Sequence, residues 1–308
     1  MLATPHEQTP WMRPFSAAAL RSPRIDAAAE RVRMLIEREL RRALMRYLDT
    51  LETRMTVGAR ESFSCVDAPQ GHAFYRSQIR RYSTLELSPV AIHQRGREQV
   101  ARLTEELQHV AAGAGYQGRL QEYRRFLESD PQFVAPSARA LRERAESLAK
   151  RIDKRIPVFF GHIPRITYGI ETVPESISLR VPIAYAQPNP ADGSAPGIFW
   201  LTALADRCPL YALPTYVLHE AWPGHLMHVA VMQEMEVLPA FRRHGALKYS
   251  ACLEGWAVYC EFLGEEMGLY ETPPEHFGRI NSELWRAARL IVDTEIHWYG
   301  WTRERAIE

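Results

Sequence analysis

The chain has 308 residues, of which 46% are hydrophobic and 24% are charged. These proportions are ordinary for a globular protein, and a chain of this length can bury a sizeable core. A formal net charge of +1 gives no electrostatic reason to expect binding to nucleic acid. Nowhere do 18 apolar residues follow one another, so no transmembrane helix is predicted.

The N-terminal residues predict an irregular arm over residues 1–24, because this segment contains four prolines. It has no apolar stretch long enough for the core of a secretory signal peptide. The four cysteines of the chain show no CxxC spacing, which is typical of reduced thiols. Together these features predict a cytoplasmic protein that does not bind a membrane.

The segment from residue 25 to residue 160 has the apolar spacing of helices, with apolar residues recurring every three or four positions. Ser88 and Pro89 are typical of a helix start, because serine caps a helix and proline suits its first position. The predicted helices cover residues 32–51, 88–113, 117–127 and 137–155.

The pattern changes between residues 165 and 202 to short β-branched and aromatic runs, separated by turns rich in proline and glycine. These runs predict a small sheet with strands at 166–170, 179–185 and 198–202. The last strand directly precedes the next helical segment. Two interpretations of the sheet stand side by side: its open edge holds an extended substrate backbone by strand addition, or the sheet only covers the core.

The strongest chemical signal is the run HEAWPGH at residues 219–225. Histidine and carboxylate are the usual donors to catalytic Zn²⁺, and the two histidines commonly stand four residues apart on one helix. Here they stand six apart, which on a straight helix would rotate His225 about 120° away from His219. Pro223 interrupts a helix and Gly224 tolerates unusual dihedral angles. We therefore predict a bulge that brings both imidazoles to one ion.

The sequence resembles the domain of unknown function 885 family, a group of predicted zinc metallopeptidases whose hallmark reads HEAxPGHH followed by EGWA. This chain carries HEAWPGHLMH and EGWAVYCE, and it resembles the family further at residues 71–96, 192–199 and 268–301. It departs from the hallmark at Leu226, where the family has its adjacent histidine, and at His228, where the family has glutamine.

The resemblance implies a mainly α, gluzincin-like metallohydrolase with a small β-sheet next to the metal-binding helix and one Zn²⁺ ion. It also implies a chain that is shortened at both ends relative to family members. We predict one mostly helical domain over residues 25–308 after the arm. Its helical part covers 25–160, its sheet 165–202 and its metal-site helices 212–301.

A third metal ligand is predicted at Glu254, which lies 29 residues after His225 on the next amphipathic segment. Glu261 lies seven residues later and faces the same way, so either carboxylate can bind the metal. We prefer Glu254, because it opens the EGWA motif and Gly255 leaves room for a close approach; Glu261 then contacts a ligand from behind. His228 is a weaker ligand candidate.

Other candidate residues repeat every four positions on the last long helical segment: Arg289, Asp293 and His297. In one interpretation Asp293, paired with Arg289, accepts a hydrogen bond from a zinc-bound imidazole, and His297 donates to the developing oxyanion. In the other, the three form a structural polar stripe. Tyr259 and Tyr185 are weaker candidates for the donor role.

These predictions describe a zinc-dependent hydrolase that cleaves a peptide or amide bond. Zinc is held by His219, His225 and Glu254, and Glu220 is the general base that accepts a proton from the attacking water. The expected partner is a peptide or peptide-like small molecule, with a homo-oligomer or partner protein completing the cleft. Two alternatives remain open: a non-hydrolytic enzyme such as a lyase acting on a peptide-like metabolite, and a catalytically impaired metal-binding or interaction module.

Overall fold

The computed structural model describes residues 5–15, 22–116, 118–245 and 249–308. By its internal contacts the chain divides into two compact units, residues 1–62 and residues 63–308. The sequence predicts an arm over residues 1–24 and one domain over residues 25–308. The observed boundary thus lies later in the chain than the predicted one.

The described part of the predicted arm contains helical turns instead of irregular backbone. Short 3-10 helices cover His6–Gln8 and Pro10–Phe15. Proline fixes φ near −65°, which is compatible with such short turns. Residues 1–4 and 16–21 lie outside the described part of the chain.

One long helix dominates the first unit. Its segments α1 (Pro23–Leu35) and α2 (Arg41–Thr50) are joined by a π-helical turn at Ile36–Leu40, and a second π-helical turn follows at Leu51–Met55. The helix predicted over residues 32–51 is therefore present and longer than predicted. Several of its large apolar side chains are exposed. These exposed side chains are Leu35, Met45, Tyr47, Leu48 and Met55.

Helices also make up most of the second unit. In chain order they are α3 (Gly71–Ser83), α4 (Pro89–Gly113), α5 (Leu120–Ser129), α6 (Ala138–Phe159), α7 (Glu175–Ser178), α8 (Leu213–Glu220), α9 (His225–Glu234), α10 (Ala240–Arg243), α11 (Ser250–Glu266), α12 (Pro273–His297) and α13 (Arg303–Ile307).

The starts of two predicted helices are fixed by serine caps. The Ser88 hydroxyl accepts the backbone N–H of Ala91 at the start of α4, and the Ser137 hydroxyl accepts that of Ala140 at the start of α6, each at 3.1 Å. Such a cap satisfies a donor that has no partner inside the helix. The helix predicted from residue 117 begins at residue 120, and Gln117 itself lies outside the described residues.

The small sheet has three strands in the order β1 (Tyr168–Thr172), β3 (Gly197–Leu201), β2 (Ala184–Gln187). β1 runs parallel to β3, and β2 runs antiparallel to it. The last strand in sequence is thus the central one. The sheet edge beside the helix that carries His219 therefore belongs to β2. The strand predicted from residue 179 starts only at residue 184, after Pro182, because proline cannot donate to a strand ladder.

Two clusters of buried side chains form the core of the second unit. The first joins α6 and the sheet to α8, α9 and α11, and the second joins α4 and α5 to α12. Gly96 of α4 lies against α12, where a Cβ at this position would come within 2.8 Å of Ile291 Cγ1. This close packing joins α4 tightly to α12. In the described part of the chain, we find no helix with the length and apolarity needed to cross a bilayer.

Candidate metal centre

The HEAWPGH motif is built on a break between two helices. α8 ends at Glu220 and α9 begins at His225, as predicted from the proline, and the Trp222–Pro223 peptide bond is cis. Gly224 lies so close to the end of α8 that a Cβ would come within 1.9 Å of the His219 carbonyl oxygen. Trp256 of α11 donates its indole N–H to the Pro223 carbonyl at 2.9 Å, which ties the break to the next helix.

The break brings two imidazoles onto one carboxylate. His219 Nε2 lies 3.4 Å from Glu254 Oε2, and His225 Nε2 lies 3.6 Å from Glu254 Oε1. The two rings are nearly perpendicular, with centroids 4.7 Å apart, and both histidines are buried. Tetrahedral Zn²⁺ with bonds near 2.0–2.1 Å holds its ligand atoms about 3.4 Å from one another. The two histidine–glutamate separations therefore match the spacing of ligand atoms around one zinc ion.

A second carboxylate lies beside the same histidines. Glu220 has a carboxylate oxygen within 4.8 Å of a ring nitrogen of His219 and of His225. Glu254 approaches both imidazole Nε2 atoms at 3.4 and 3.6 Å and is the preferred ligand candidate, while Glu220 lies near enough to act through a water molecule. Burial raises the pKa of Glu220, although the two histidines and a backbone hydrogen bond from Ala186 of β2 oppose the rise.

The pKa of Glu254 shifts in the opposite direction to that of Glu220. The side chain of Glu254 is 57% exposed. Hydrogen bonds with His219 and His225 hold the pKa of Glu254 well below its ordinary value. The two carboxylates at the site are therefore distinguished by their surroundings. Glu254 stays ionised and suited to a cation, whereas Glu220 is more easily protonated.

The other side of His219 is held by a buried ionic network. Glu261, which is 2% exposed, has its Oε1 2.6 Å from His219 Nδ1. The guanidinium of Arg286 on α12 donates to both Glu261 oxygens, at 2.7 and 3.1 Å. Burial would lower the pKa of His219, but its hydrogen bonds to Glu254 and Glu261 outweigh burial and raise it to about 9. Glu261 thus contacts the candidate ligand His219 from behind, which is the alternative role that the sequence suggested for Glu261.

Sequence reasoning missed Arg286. The only signal for it is spacing: Arg279 and Arg286 stand seven apart on α12, while Glu261 and Glu265 stand four apart on α11. Such spacing places each pair on one helix face. Which faces meet depends on how the helices pack, and the sequence alone did not provide this.

His228 lies next to the centre but outside its donor group. Its ring packs 5.9 Å from that of Trp256, and both side chains line an apolar cavity of about 330 Å³ together with Pro223. Burial lowers the pKa of His228. Among the described residues, neither His228 Nδ1 nor His225 Nδ1 has a hydrogen-bond partner.

The polar residues predicted on α12 lie elsewhere. Asp293 accepts a hydrogen bond from the Tyr75 hydroxyl at 2.6 Å, and His297 Nδ1 faces the backbone N–H of Cys65 at 3.4 Å. Arg289 stacks over the ring of Trp285, at 4.7 Å from its centroid. The predicted role of Asp293 behind a ligand imidazole is instead filled by Glu261, because Asp293 lies two turns further along α12 than Arg286, where it contacts Tyr75 of α3. With Arg286, these three residues line a cavity of about 540 Å³.

Each of the two tyrosine candidates packs against a tryptophan. Tyr259 is 51% exposed and packs 5.7 Å from Trp256, and Tyr185 of β2 stacks on Trp200 at 6.3 Å. Gly255 was expected to allow a close approach to Glu254. In the described structure, a Cβ at Gly255 would meet no heavy atom within 4 Å.

The chain's similarity to known proteins agrees with its motif. The family described as "Bacterial protein of unknown function (DUF885)" matches residues 1–308. This chain belongs to that family. The match extends the resemblance, which the sequence motifs placed mainly after residue 60, to the whole chain.

A similar fold occurs in a solved structure. The crystal structure described as "the putative lipoprotein from Colwellia psychrerythraea" has a TM-score of 0.90 and 29% sequence identity to this chain. The alignment covers 98% of this chain and 53% of the other, so this chain spans about half the length of that protein. No curated protein matches the chain significantly.

Proposed function

We propose that this DUF885 protein is a zinc-dependent hydrolase that cleaves a peptide or amide bond. The observation that carries the proposal is the convergence of His219 Nε2 and His225 Nε2 on the Glu254 carboxylate at 3.4 and 3.6 Å. Three protein ligands of this kind are typical of catalytic zinc, whereas structural zinc sites usually have four. A separate carboxylate, Glu220, lies beside them.

A zinc ion, when bound, would act as a Lewis acid and lower the pKa of a water molecule from near 16 to roughly 7. Glu220 accepts the proton of the attacking water and delivers it to the leaving amine. Its raised pKa suits this exchange, because a general base works best when its pKa is close to the working pH. The backbone hydrogen bond from Ala186 orients the Glu220 carboxylate.

The position of β2 favours an extended substrate. This strand forms an edge of the sheet, and its residue Ala186 contacts the proposed base. An extended peptide can pair with such an edge through main-chain hydrogen bonds. A peptide-like backbone placed along β2 would therefore pass beside Glu220.

Substitution of the base tests the proposal. We expect Glu220→Gln to retain one zinc ion per chain and to lose about 10²- to 10⁴-fold in kcat/KM on peptides or amides, because only the proton acceptor is removed. His219→Ala should lose zinc as well as activity. Glu236→Gln, which changes an exposed carboxylate just after α9, is the matched control.

Zinc content and turnover of a peptide and amide library are measured together, with a chelator control. Wild-type turnover by Glu220→Gln would contradict the assigned base. Stoichiometric zinc without cleavage of any library member would favour non-hydrolytic chemistry or a binding module instead.

A further inference from the structure

Arg286 of α12 contacts the candidate ligand set from outside. Its two terminal nitrogens donate to the two oxygens of Glu261, and one of these nitrogens also lies 3.3 Å from His219 Nδ1. A third hydrogen bond runs from Arg286 to the Ser282 hydroxyl at 2.8 Å. The guanidinium is therefore fixed on both sides, and its planar fork matches the carboxylate it faces.

The tautomer of His219 decides how Arg286 acts on it. Nε2 faces Glu254 and is the nitrogen available to a metal, so we assign the proton to Nδ1, which faces Glu261. A guanidinium has only donors and cannot bond to a protonated Nδ1. The influence of Arg286 on His219 must therefore pass through the Glu261 carboxylate.

A second arginine on the same helix provides an internal comparison. Arg279 lies seven residues before Arg286 on α12. It also faces α11, where it donates to Glu265 at 2.7 Å. It is buried and also contacts Glu106 and Glu283. Each arginine thus joins α12 to a glutamate of α11, Arg286 through both carboxylate oxygens and Arg279 through one. Only the Arg286 pair touches a candidate metal ligand.

We propose that Arg286 is a positioning residue of the metal centre, which sets the orientation of His219 by fixing Glu261. The inference rests on the zinc site of the proposed function, but not on hydrolysis. A bidentate arginine restricts the carboxylate to one orientation, and the carboxylate in turn aims Nε2 of His219 at the ion. Loss of a residue that hydrogen-bonds a ligand histidine typically lowers metal affinity about 10- to 100-fold.

The test compares Arg286→Gln, Arg286→Lys and Arg279→Gln in the full chain. Zinc affinity is measured by competition with a chelator, the visible absorption of the Co²⁺-loaded protein reports ligand geometry, and thermal unfolding of the chelated protein reports stability. We expect Arg286→Gln to bind zinc about 10-fold more weakly or worse and to change the cobalt spectrum. Arg286→Lys should recover part of the affinity, because it keeps the charge but not the fork.

Arg279→Gln should lower the melting temperature of the chelated protein yet leave zinc affinity within about twofold of wild type. In a Glu261→Gln background, Arg286→Gln should cause little further loss of affinity, since residues that act through one another are not additive. Equal zinc affinities for Arg286→Gln and Arg279→Gln, or additive losses in the double variant, would overturn the inference. Absence of zinc binding by the wild-type protein would overturn the proposed function as well. Failure of the inference alone is therefore distinguishable from failure of the proposed function.

Discussion

His219 is the most constrained residue of the candidate centre. Each of its ring nitrogens faces a carboxylate, Glu254 at Nε2 and Glu261 at Nδ1. In the metal-free protein this surrounding favours the protonated ring and raises the pKa of His219 to about 9. A zinc ion needs the neutral imidazole, so it must displace a proton from this site.

This competition predicts how zinc binding depends on pH. The folded-state pKa of His219 lies above its ordinary value of 6.5, so below pH 9 the metal-free protein holds a proton that zinc must release. We expect zinc affinity to rise about tenfold per pH unit between pH 6.5 and 8 from this residue alone. Calorimetry in buffers of different ionisation enthalpy measures the released protons. An affinity that does not change over this range would contradict the prediction.

The same shift stabilises the metal-free fold in a defined pH window. A histidine with a raised folded-state pKa adds stability that is fully present below pH 6.5 and is lost as the pH rises through about 9. Glu261 and Glu254 supply that stabilisation only while His219 carries its proton. Zinc binding replaces the proton with a cation and so removes this particular dependence.

At this scale the candidate ligands and the supporting role of Glu261 could be proposed from the sequence, whereas Arg286 could not. His219, Glu220 and His225 lie within seven residues, so their chemistry is local, and Glu254 could be placed from its motif. Arg286 contributes only through the packing of α12 against α11, which no local pattern specifies. The Arg289, Asp293 and His297 stripe shows the converse: spacing on one helix predicted a common face, but not the element that this face meets.

At the scale of elements, the break between α8 and α9 fixes the ligand geometry. Any side chain at Gly224 would overlap the carbonyls of Leu218 and His219, whereas Gly255 of α11 has open space around it. We expect Gly224→Ala to lower zinc affinity at least about 10-fold and to destabilise the fold by several kcal/mol, on the order of a disrupted core contact.

Gly255→Ala is the matched control, because it adds the same methyl group beside another ligand. In the interior of α11 alanine favours the helix over glycine by about 0.5–1 kcal/mol, so this variant should keep zinc and unfold at an equal or higher temperature. Zinc titration and thermal unfolding compare the two variants directly. Wild-type zinc affinity in Gly224→Ala would show that the break does not depend on this glycine.

The sheet shows which part of an element the sequence can reveal. β-branched and aromatic runs located the strands, and Pro182 explains why β2 starts late. Strand order was not predictable in the same way, because β1 pairs in parallel with β3 although β2 lies between them in the sequence. Such a pairing depends on long-range contacts. The consequence for function is that β2, and not the last strand, offers its edge beside Glu220.

At the scale of the whole molecule, the candidate ligands and their supports all belong to residues 63–308. His219 comes from α8, His225 from α9 and Glu254 from α11, so a bound ion links three helices of this unit. A ligand that binds only the folded state stabilises it by about 2.7 kcal/mol at a concentration 100-fold above its Kd. This gain in folding stability should appear in any protein fragment in which these three helices fold together.

We therefore expect zinc to raise the melting temperature of the full chain by roughly 5–10 °C at that concentration, and that of a 63–308 fragment by a similar amount. His219→Ala should abolish the rise in both proteins. Differential scanning fluorimetry with and without a chelator measures the effect, and circular dichroism checks that the fragment is folded. A folded fragment that zinc does not stabilise would mean that residues 1–62 are needed for the centre, although none of its candidate ligands lies there.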